Sequence, residues 1–311
     1  MTWRIYRWDD ASAPTLSGAD GSLPALLKSV LVGTAGTAYG SVPAAGWTCP
    51  YDTTNIKAFT NGGAGQGIKV THAGSQYPQI AGYESITGGG VITNQFPTDA
   101  QISGGVFMQV SNSYNSTAKP WIIAADASRF YLWVAASLTT AQALSASAVG
   151  QPMLYSGDLF SDKGGDAYPF ALIGATSASN TSNYFGGAST ATSGTLNGHY
   201  IARAHTQSVG SVQGSKQANL GAAVTVMGYQ GISYPDPVSG GMRLSPVNFT
   251  ENGNIRGRMP GLWAPMHALP GANGDTFSGV GALAGKTFIL LDVSSSSLQG
   301  RIALETSNTL S

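Results

Sequence analysis

Residues 120–134 read PWIIAADASRFYLWV and contain the two strongest strand signals of the 311-residue chain. Both apolar runs, Pro120 to Ala125 and Arg129 to Val134, are short and rich in β-branched or aromatic side chains, which favours strands. The residues between them match a short hairpin loop, so we predict a β-hairpin. Because each run is apolar on both faces, the hairpin is expected at the centre of the core. The alternative interpretation is an exposed aromatic surface, Phe130 to Trp133, on which carbohydrate rings stack.

Strand signals continue on both sides of this hairpin, at a spacing of roughly 8–15 residues that is typical of sandwiches and barrels. Trp3 to Trp8 alternates, with Trp3 and Ile5 on one face and Tyr6 and Trp8 on the other. Further strands are predicted at Trp47 to Asp52, Asn55 to Thr60, Gly67 to His72, Gln79 to Ser85, Met153 to Asp158, Phe170 to Gly174, His199 to His205, Val209 to Lys216, Lys286 to Val293 and Gln299 to Thr306. The last two are expected to form a closing hairpin.

One short N-terminal helix is predicted over residues 22–32. Its apolar residues recur at helical spacing, Ser22 is placed to cap it, and Gly33 is placed to end it. The fold class is therefore mainly β: an antiparallel β-sandwich or barrel-like domain with long Gly/Pro-rich loops and one short helix. We expect residues 1–311 to form a single elaborated domain, with two subdomains, 1–150 and 151–311, as the alternative.

Two segments are interpreted as long surface elements. Residues 175–198 are low in complexity and are predicted to be a loop, either a partner-facing element or a passive one. Residues 229–277 are dense in Pro and Gly, and we expect an ordered, turn-rich surface segment held by Trp263. This second segment is the predicted place for contacts between subunits.

Composition excludes several classes of function. Only 10% of the residues are charged, against roughly 25% in typical proteins, and the formal net charge is zero with no run of like charges. This balance argues against nucleic-acid binding, which needs clustered Lys and Arg. No apolar run is long enough for a membrane span, and MTWRIYRWDD does not resemble a signal peptide. The single cysteine, Cys49, is expected to be a small, at least half-buried apolar residue.

No catalytic, metal or cofactor site is predicted. The four histidines show no metal-binding spacing, GxSxG is absent, and each lone histidine is interpreted as a hydrogen-bonding residue. A catalytic pair of carboxylates for glycoside hydrolysis stays possible, because such a pair needs only spatial proximity, but the sequence marks no two acids as partners. In GDLFSDKGGDAY, Asp158, Asp162 and Asp166 are interpreted as turn residues, with Ca²⁺ binding as the alternative.

Several long phrases resemble a family of tailed-bacteriophage virion structural, tail-associated proteins. They are WRIYRWDDASAPTLSGADGSLPALL (3–27), AAGWTCPY (44–51), SGDLFSDKGGDAYPFALIG (156–174), HYIARAHT (199–206), YPDPVSGG (234–241), RGRMPGLWAPMH (256–267), GDTFSGVGALAGKTFILLDV (274–293) and IALETSNT (302–309). The resemblance runs from Thr2 to Thr309. It implies one functional unit that is made in the host bacterial cytoplasm and incorporated into the virion, with no catalytic residues to carry over.

We therefore expect a non-enzymatic virion component, present in several copies on the tail, neck or baseplate. The alternatives are a capsid-surface decoration protein and, in another class, a module that binds a host glycan or receptor. Expected partners are other virion proteins and copies of the chain itself. Aromatic residues are enriched at the energetic centres of interfaces. The candidate interface residues are Trp3, Tyr6, Trp8, Tyr184, Phe185, Tyr234, Trp263 and His267.

Overall fold

The computed structural model describes residues 2–141, 152–178, 198–218, 234–251, 254–266, 271–293 and 301–310, without the side chains of 215–218. Its strands before residue 140 are β1 (Arg4–Arg7), β2 (Thr37–Tyr39), β3 (Val42–Pro43), β4 (Thr48–Asp52), β5 (Ile56–Thr60), β6 (Gly67–Thr71), β7 (Gln79–Tyr83), β8 (Ser85–Ile86), β9 (Ile92–Thr93), β10 (Val106–Phe107), β11 (Trp121–Ala125) and β12 (Arg129–Val134). The later strands are β13 (Met153–Asp158), β14 (Phe160–Ser161), β15 (Phe170–Gly174), β16 (Gly198–Arg203), β17 (Val209–Ala218), β18 (Leu244–Glu251), β19 (Asn254–Pro265), β20 (Thr276–Ser278), β21 (Thr287–Asp292) and β22 (Arg301–Glu305).

Most strands belong to one long antiparallel sheet. Its order is β1-β11-β12-β13-β15-β16-β17-β18-β19-β22-β21-β20, and β14 also pairs with β19. A second sheet has the order β10-β7-β6-β5-β4, so the four strands predicted between residues 47 and 85 do form an antiparallel meander. The two small sheets β2-β3 and β8-β9 are hairpins. The prediction of a mainly β, antiparallel, sandwich-like fold is confirmed.

The long sheet folds back on itself, so its first half lies between two other layers. On one face, the ring of Trp47 meets Phe130 edge-on at 5.5 Å, and β6 lies against β13. On the other face, the indole N–H of Trp133 donates to the carbonyl of Asp292, at the end of β21, at 2.9 Å. The central layer thus consists of β1, β11, β12, β13, β15 and β16.

This position explains the hairpin at residues 120–134. β11 and β12 pair as predicted, and every residue of both strands is buried. A strand covered on both faces has no place for polar side chains, which is why the hairpin reads as two continuous apolar runs. The core interpretation is confirmed, and the alternative of an exposed carbohydrate-stacking surface is wrong.

The helix occupies the predicted range but is built differently. An α-helix, Ser22–Leu27, continues directly into a π-helical turn, Lys28–Val32, and Gly33 ends it with φ at 67°. Gly21, not Ser22, is the N-terminal capping residue. The Ser22 hydroxyl instead accepts a hydrogen bond from the backbone N–H of Ser17 at 2.8 Å. Leu23, Leu26, Leu27, Val30 and Leu31 are all fully buried.

The described parts of residues 229–277 consist mostly of strands and are not the turn-rich surface segment that the Pro and Gly content predicts. They include β18 and β19, which lie inside the long sheet. Pro246 and Pro260 lie where the register of β18 against β19 shifts, and Pro265 is the last residue of β19, so a missing N–H is tolerated at each position. In the described part, exposed turns remain at residues 234–241 and 272–275.

One hydrophobic cluster includes residues from Trp3 to Leu304 and therefore draws on both halves of the chain. A smaller cluster lies at the end of the sheet formed by β19, β21 and β22, and consists of Met242, Trp263, Phe288, Leu290 and Ala303. Cys49 is half-buried against the main cluster, as predicted. None of the helices in the described ranges is long and apolar enough to cross a membrane.

Candidate functional site: a charge network beside a polar pocket

β17 changes partner strands along its length, and we call the point between Gln213 and Gly214 the bend. Residues up to Gln213 pair with β16, and those from Gly214 onward pair with β18. At Gly214, an added Cβ would lie 2.5 Å from both the ring of Phe249 and the carbonyl oxygen of Thr250. No side chain fits there, so glycine lets β17 and β18 approach at the bend. The turns and strand ends around this bend carry most of the paired charges described below.

Arg256 and Asp166 form the centre of the network. The Nε and Nη2 atoms of Arg256 each donate to a different oxygen of Asp166 at 2.9 Å, and both side chains are at least 98% buried. The Ser161 hydroxyl and the backbone N–H of Tyr168 also donate to Asp166, at 2.6 and 3.1 Å. Burial alone raises the pKa of Asp166, but the hydrogen bonds from Ser161 and Arg256 outweigh it and hold the pKa below its usual value.

Glu251 extends the network to the surface. Its Oε2 accepts from Nη1 of Arg256 at 3.1 Å, and its Oε1 lies 2.6 Å from Nδ1 of His205. The backbone N–H of His205 donates to the same oxygen. Glu251 is fully buried, whereas the imidazole is half exposed, so His205 connects a buried carboxylate to solvent. His205 is thus a hydrogen-bonding residue, as predicted, and its partner is a buried carboxylate.

A second ion pair lies next to the first. Arg203, at the end of β16, donates from Nε and Nη2 to the two oxygens of Glu84 at 2.5 and 2.6 Å. Its guanidinium group stacks over the ring of Tyr168 at 3.9 Å, and Tyr168 in turn donates to Asp166. The hydrogen bonds from Arg203 hold the pKa of Glu84 below its usual value. Tyr168 thus joins the two ion pairs.

An open pocket of about 290 Å³ lies beside this second pair. One wall is formed by Asn94, Gln95, Thr98 and Asp99 and the other by Ala202, Val209, Gly210 and Ser211. Asn94 belongs to both features, because its side-chain N–H donates to Glu84 at 2.8 Å. The ion pair therefore fixes one wall of the pocket.

The network has the chemistry of a structural clamp. Three carboxylates, two guanidinium groups and one imidazole are present, and each carboxylate is bound by an arginine. Asp166 and Glu251 share Arg256, so their oxygens are occupied by donors rather than presented to a reacting group. Asp166 is thus more than a turn residue, since it anchors the network. Within the described ranges, no three His, Cys, Asp or Glu side chains are grouped so that they could hold a metal ion.

Another buried carboxylate joins the two sheets. Asp158, at the end of β13, accepts from the side-chain N–H of Asn61 at 2.8 Å and from the backbone N–H of Ala64 at 3.1 Å. Burial raises the pKa of Asp158 above its usual value. Asp126 and Arg129 form a neighbouring buried pair at 3.5 Å. The hydrogen bonds of Asn61 and Ala64 to Asp158 fix the Asn61 loop of the five-stranded sheet onto the central layer.

The candidate interface residues fall into three groups. Trp3, Tyr6 and Trp263 are at least 92% buried, so their prediction as exposed contact residues is wrong. For Trp3 and Tyr6 the reason is that β1 belongs to the central layer. Trp8 is half-buried, and Tyr234 is 44% exposed. Tyr184, Phe185 and His267 lie outside the described residues, as does most of the predicted loop at residues 175–198.

Sequence reasoning missed the charge network because its partners are far apart in the chain. Glu84 is 119 residues from Arg203, and Asp166 is 90 residues from Arg256. One local signal was present: Glu251 and Arg256 flank Asn252-Gly253, a pair typical of two-residue hairpin turns. In a chain with few charges, opposite charges on both sides of such a turn indicate a cross-strand pair.

The comparisons with known proteins add no family. No protein-family model matches the chain, and a search of curated proteins finds no match.

Proposed function

We propose that this protein is a non-enzymatic structural component of a tailed-phage virion, present in several copies on the tail, neck or baseplate. Two independent arguments support the proposal. The first is the resemblance of the long sequence phrases to tail-associated virion proteins. The second is the distribution of charge, which favours close packing of many copies.

The chain has few charges, and it buries many of them. Of the 30 residues that are Lys, Arg, Asp or Glu (15 + 15), at least nine are buried: Lys57, Lys119, Asp126, Arg129, Asp158, Asp236, Glu251, Arg256 and Glu305. At most 21 of these 30 side chains are therefore left to lie at the surface. Neutral surfaces do not repel one another, and near-zero net charge promotes association. This is the observation that carries the proposal.

The exposed turn at residues 234–241 is the best candidate for a contact between copies. Tyr234 and Val238 are 44% and 84% exposed. The turn is rigid, because Asp236 accepts from the backbone N–H and hydroxyl of Ser239 at 2.8 and 2.6 Å and pairs with Arg243 at 3.1 Å. A rigid turn presents apolar side chains without a large loss of conformational entropy on binding.

Labelling of intact virions tests the location. An antibody against the purified protein should decorate the tail, neck or baseplate in electron micrographs. Label on the faces of the capsid would support the alternative of a decoration protein, and absence of the protein from purified virions would overturn the proposal.

A second experiment tests the contact. Mass photometry of the wild-type protein should show oligomers, and Val238→Asp should shift them toward monomers. Val91→Asp is the matched control, since Val91 is 63% exposed on a different surface turn. Equal effects of both variants would argue against residues 234–241 as the contact.

A further inference from the structure

We propose that the pocket between residues 94–99 and the β16–β17 hairpin binds one neutral sugar unit. This inference goes beyond the proposed function, because it does not depend on where the protein is located in a particle. The volume of about 290 Å³ lies at the lower end of the range for small-molecule sites, roughly 300–1,000 Å³. A single pyranose ring fits such a space, whereas a nucleotide or a longer peptide does not.

The polar groups on the two walls have unused hydrogen-bonding capacity. Oδ1 of Asp99 accepts from the backbone N–H of Gly104 at 3.0 Å and from the side chain of Gln95 at 2.8 Å. Oδ2 of Asp99 has no partner among the described residues. The hydroxyl oxygen of Ser211 is buried and also lacks a partner within the described part of the chain. A buried hydroxyl without a partner is costly unless a ligand or water supplies the bond.

The arrangement of these groups matches the chemistry of a sugar. Vicinal hydroxyl groups donate to a carboxylate oxygen and exchange hydrogen bonds with a serine hydroxyl. Ala202, Val209 and Gly210 give the second wall an apolar surface against which the C–H face of a pyranose packs. Val209 is 66% exposed, which is unusual for a large apolar side chain in this structure.

The charge of the pocket selects for a neutral ligand. Among the described residues that line the pocket, Asp99 alone is charged, and none is Lys, Arg or His. Anions such as phosphate or uronic acids would be placed beside an uncompensated carboxylate, which disfavours them. The two walls are also fixed before binding. Asn94 is held by Glu84, and the Gln101 side chain donates to the backbone carbonyl of Ser211 at 3.2 Å. A preformed site loses little entropy on binding.

Titration of the full-length protein, monitored by nuclear magnetic resonance, tests the proposal. Glucose, galactose, mannose, rhamnose and N-acetylglucosamine are added separately, with glucuronate as the anionic comparison. At least one neutral sugar should bind saturably, with a dissociation constant on the order of 1–10 mM. Glucuronate should bind at least tenfold more weakly than the best neutral sugar.

Two variants locate the binding. Asp99→Asn keeps Oδ1, and with it the bonds from Gly104 and Gln95, but replaces the unused carboxylate oxygen, so binding should weaken at least tenfold. Ser211→Ala should weaken it as well. Asp162→Asn is the matched control, because this exposed carboxylate lies outside the pocket. The affinity of this variant for the sugar should equal that of the wild type. The proposal is overturned if none of the five neutral sugars saturates, if glucuronate binds as well as they do, or if both pocket variants bind like the wild type.

Discussion

Arg256 and Asp166 are 90 residues apart in sequence, yet two hydrogen bonds of 2.9 Å join their side chains inside the protein. Glu251 binds the same guanidinium group from the other side. One arginine therefore connects β19, the end of β18 and the loop between β14 and β15.

We predict that Arg256→Met lowers the free energy of unfolding by about 3–5 kcal/mol, because it leaves two carboxylates buried without their shared partner. Urea denaturation at pH 7 measures the loss. Arg258→Met is the matched control, because Arg258 lies two residues further along β19, is exposed, and its guanidinium group lies over the ring of Phe160 at 5.8 Å. This control should lose no more than about 1 kcal/mol. Equal losses in the two variants would show that the buried network does not stabilise the fold.

Local patterns predicted the elements of the fold. The hairpin at residues 120–134, the meander of β4 to β7 and the range of the helix all follow from periodicities within about ten residues. The alternation in Trp3 to Trp8 also gave the correct faces for Trp3 and Tyr6, which contact different groups: the Trp3 indole N–H donates to Glu305, and the Tyr6 hydroxyl donates to Pro43.

Features that depend on distant residues could not be predicted. Nothing in residues 3–8 shows that β1 is covered on both faces, so Trp3 and Tyr6 were expected at the surface. The composition of residues 229–277 indicates turns, whereas the register of β18 against β19 decides how the prolines are tolerated. The charge network joins four segments that are distant in sequence and the pocket joins two, and no local pattern shows which segments meet.

The ion pair between Glu84 and Arg203 should make the stability of the folded protein depend on pH. The pKa of Glu84 is lowered in the folded protein, so the stabilisation from this pair is complete above the unfolded-state pKa, about 4.3, and is lost as the pH falls through the lower folded-state value. Glu84→Gln should therefore lose about 1–3 kcal/mol at pH 7, and the difference from wild type should shrink below pH 4. A difference that stays constant between pH 7 and pH 3 would contradict this assignment.

Asp158 should make stability depend on pH in the opposite direction to Glu84. Burial raises its folded-state pKa, so its contribution to stability is complete below the unfolded-state pKa, about 3.9, and is lost as the pH rises through the folded value. The difference in free energy of unfolding between the wild type and Asp158→Asn (wild type minus variant) should decrease as the pH rises from 3 to 7. Asp162→Asn, which changes an exposed carboxylate, is the control and should change the free energy of unfolding by no more than about 0.5 kcal/mol at pH 7. A rising difference for Asp158→Asn would mean that its hydrogen bonds to Asn61 and Ala64 outweigh the cost of burial.

Gly214 should not tolerate even a methyl group. In Gly214→Ala the new Cβ would lie 2.5 Å from the Phe249 ring and from the Thr250 carbonyl, so β17 and β18 must separate. We expect a loss of about 1–3 kcal/mol, the usual cost of overpacking. Gly164→Ala is the control, because an added Cβ there has no neighbour within 4 Å. Thermal unfolding should separate the two variants clearly, and similar melting temperatures would show that the bend can open without cost.

Trp263 holds the last strands of the sheet through packing. Its ring meets Phe288 edge-on at 6.3 Å, and Phe288 stacks on Phe277 at 5.2 Å, so one aromatic cluster joins β19, β20 and β21. Trp263→Ala should lower the free energy of unfolding by about 3–5 kcal/mol, as large buried aromatic truncations do. Trp8→Ala is the comparison, since Trp8 is only half-buried and this variant should lose less stability.

Because Trp263 is itself 92% buried, Trp263→Ala should reduce stability more than it reduces the oligomer population at temperatures where the variant is folded. A folded Trp263→Ala that loses less than about 1 kcal/mol would show that the small cluster is peripheral, and a folded variant that has lost its oligomers would restore Trp263 as a contact residue.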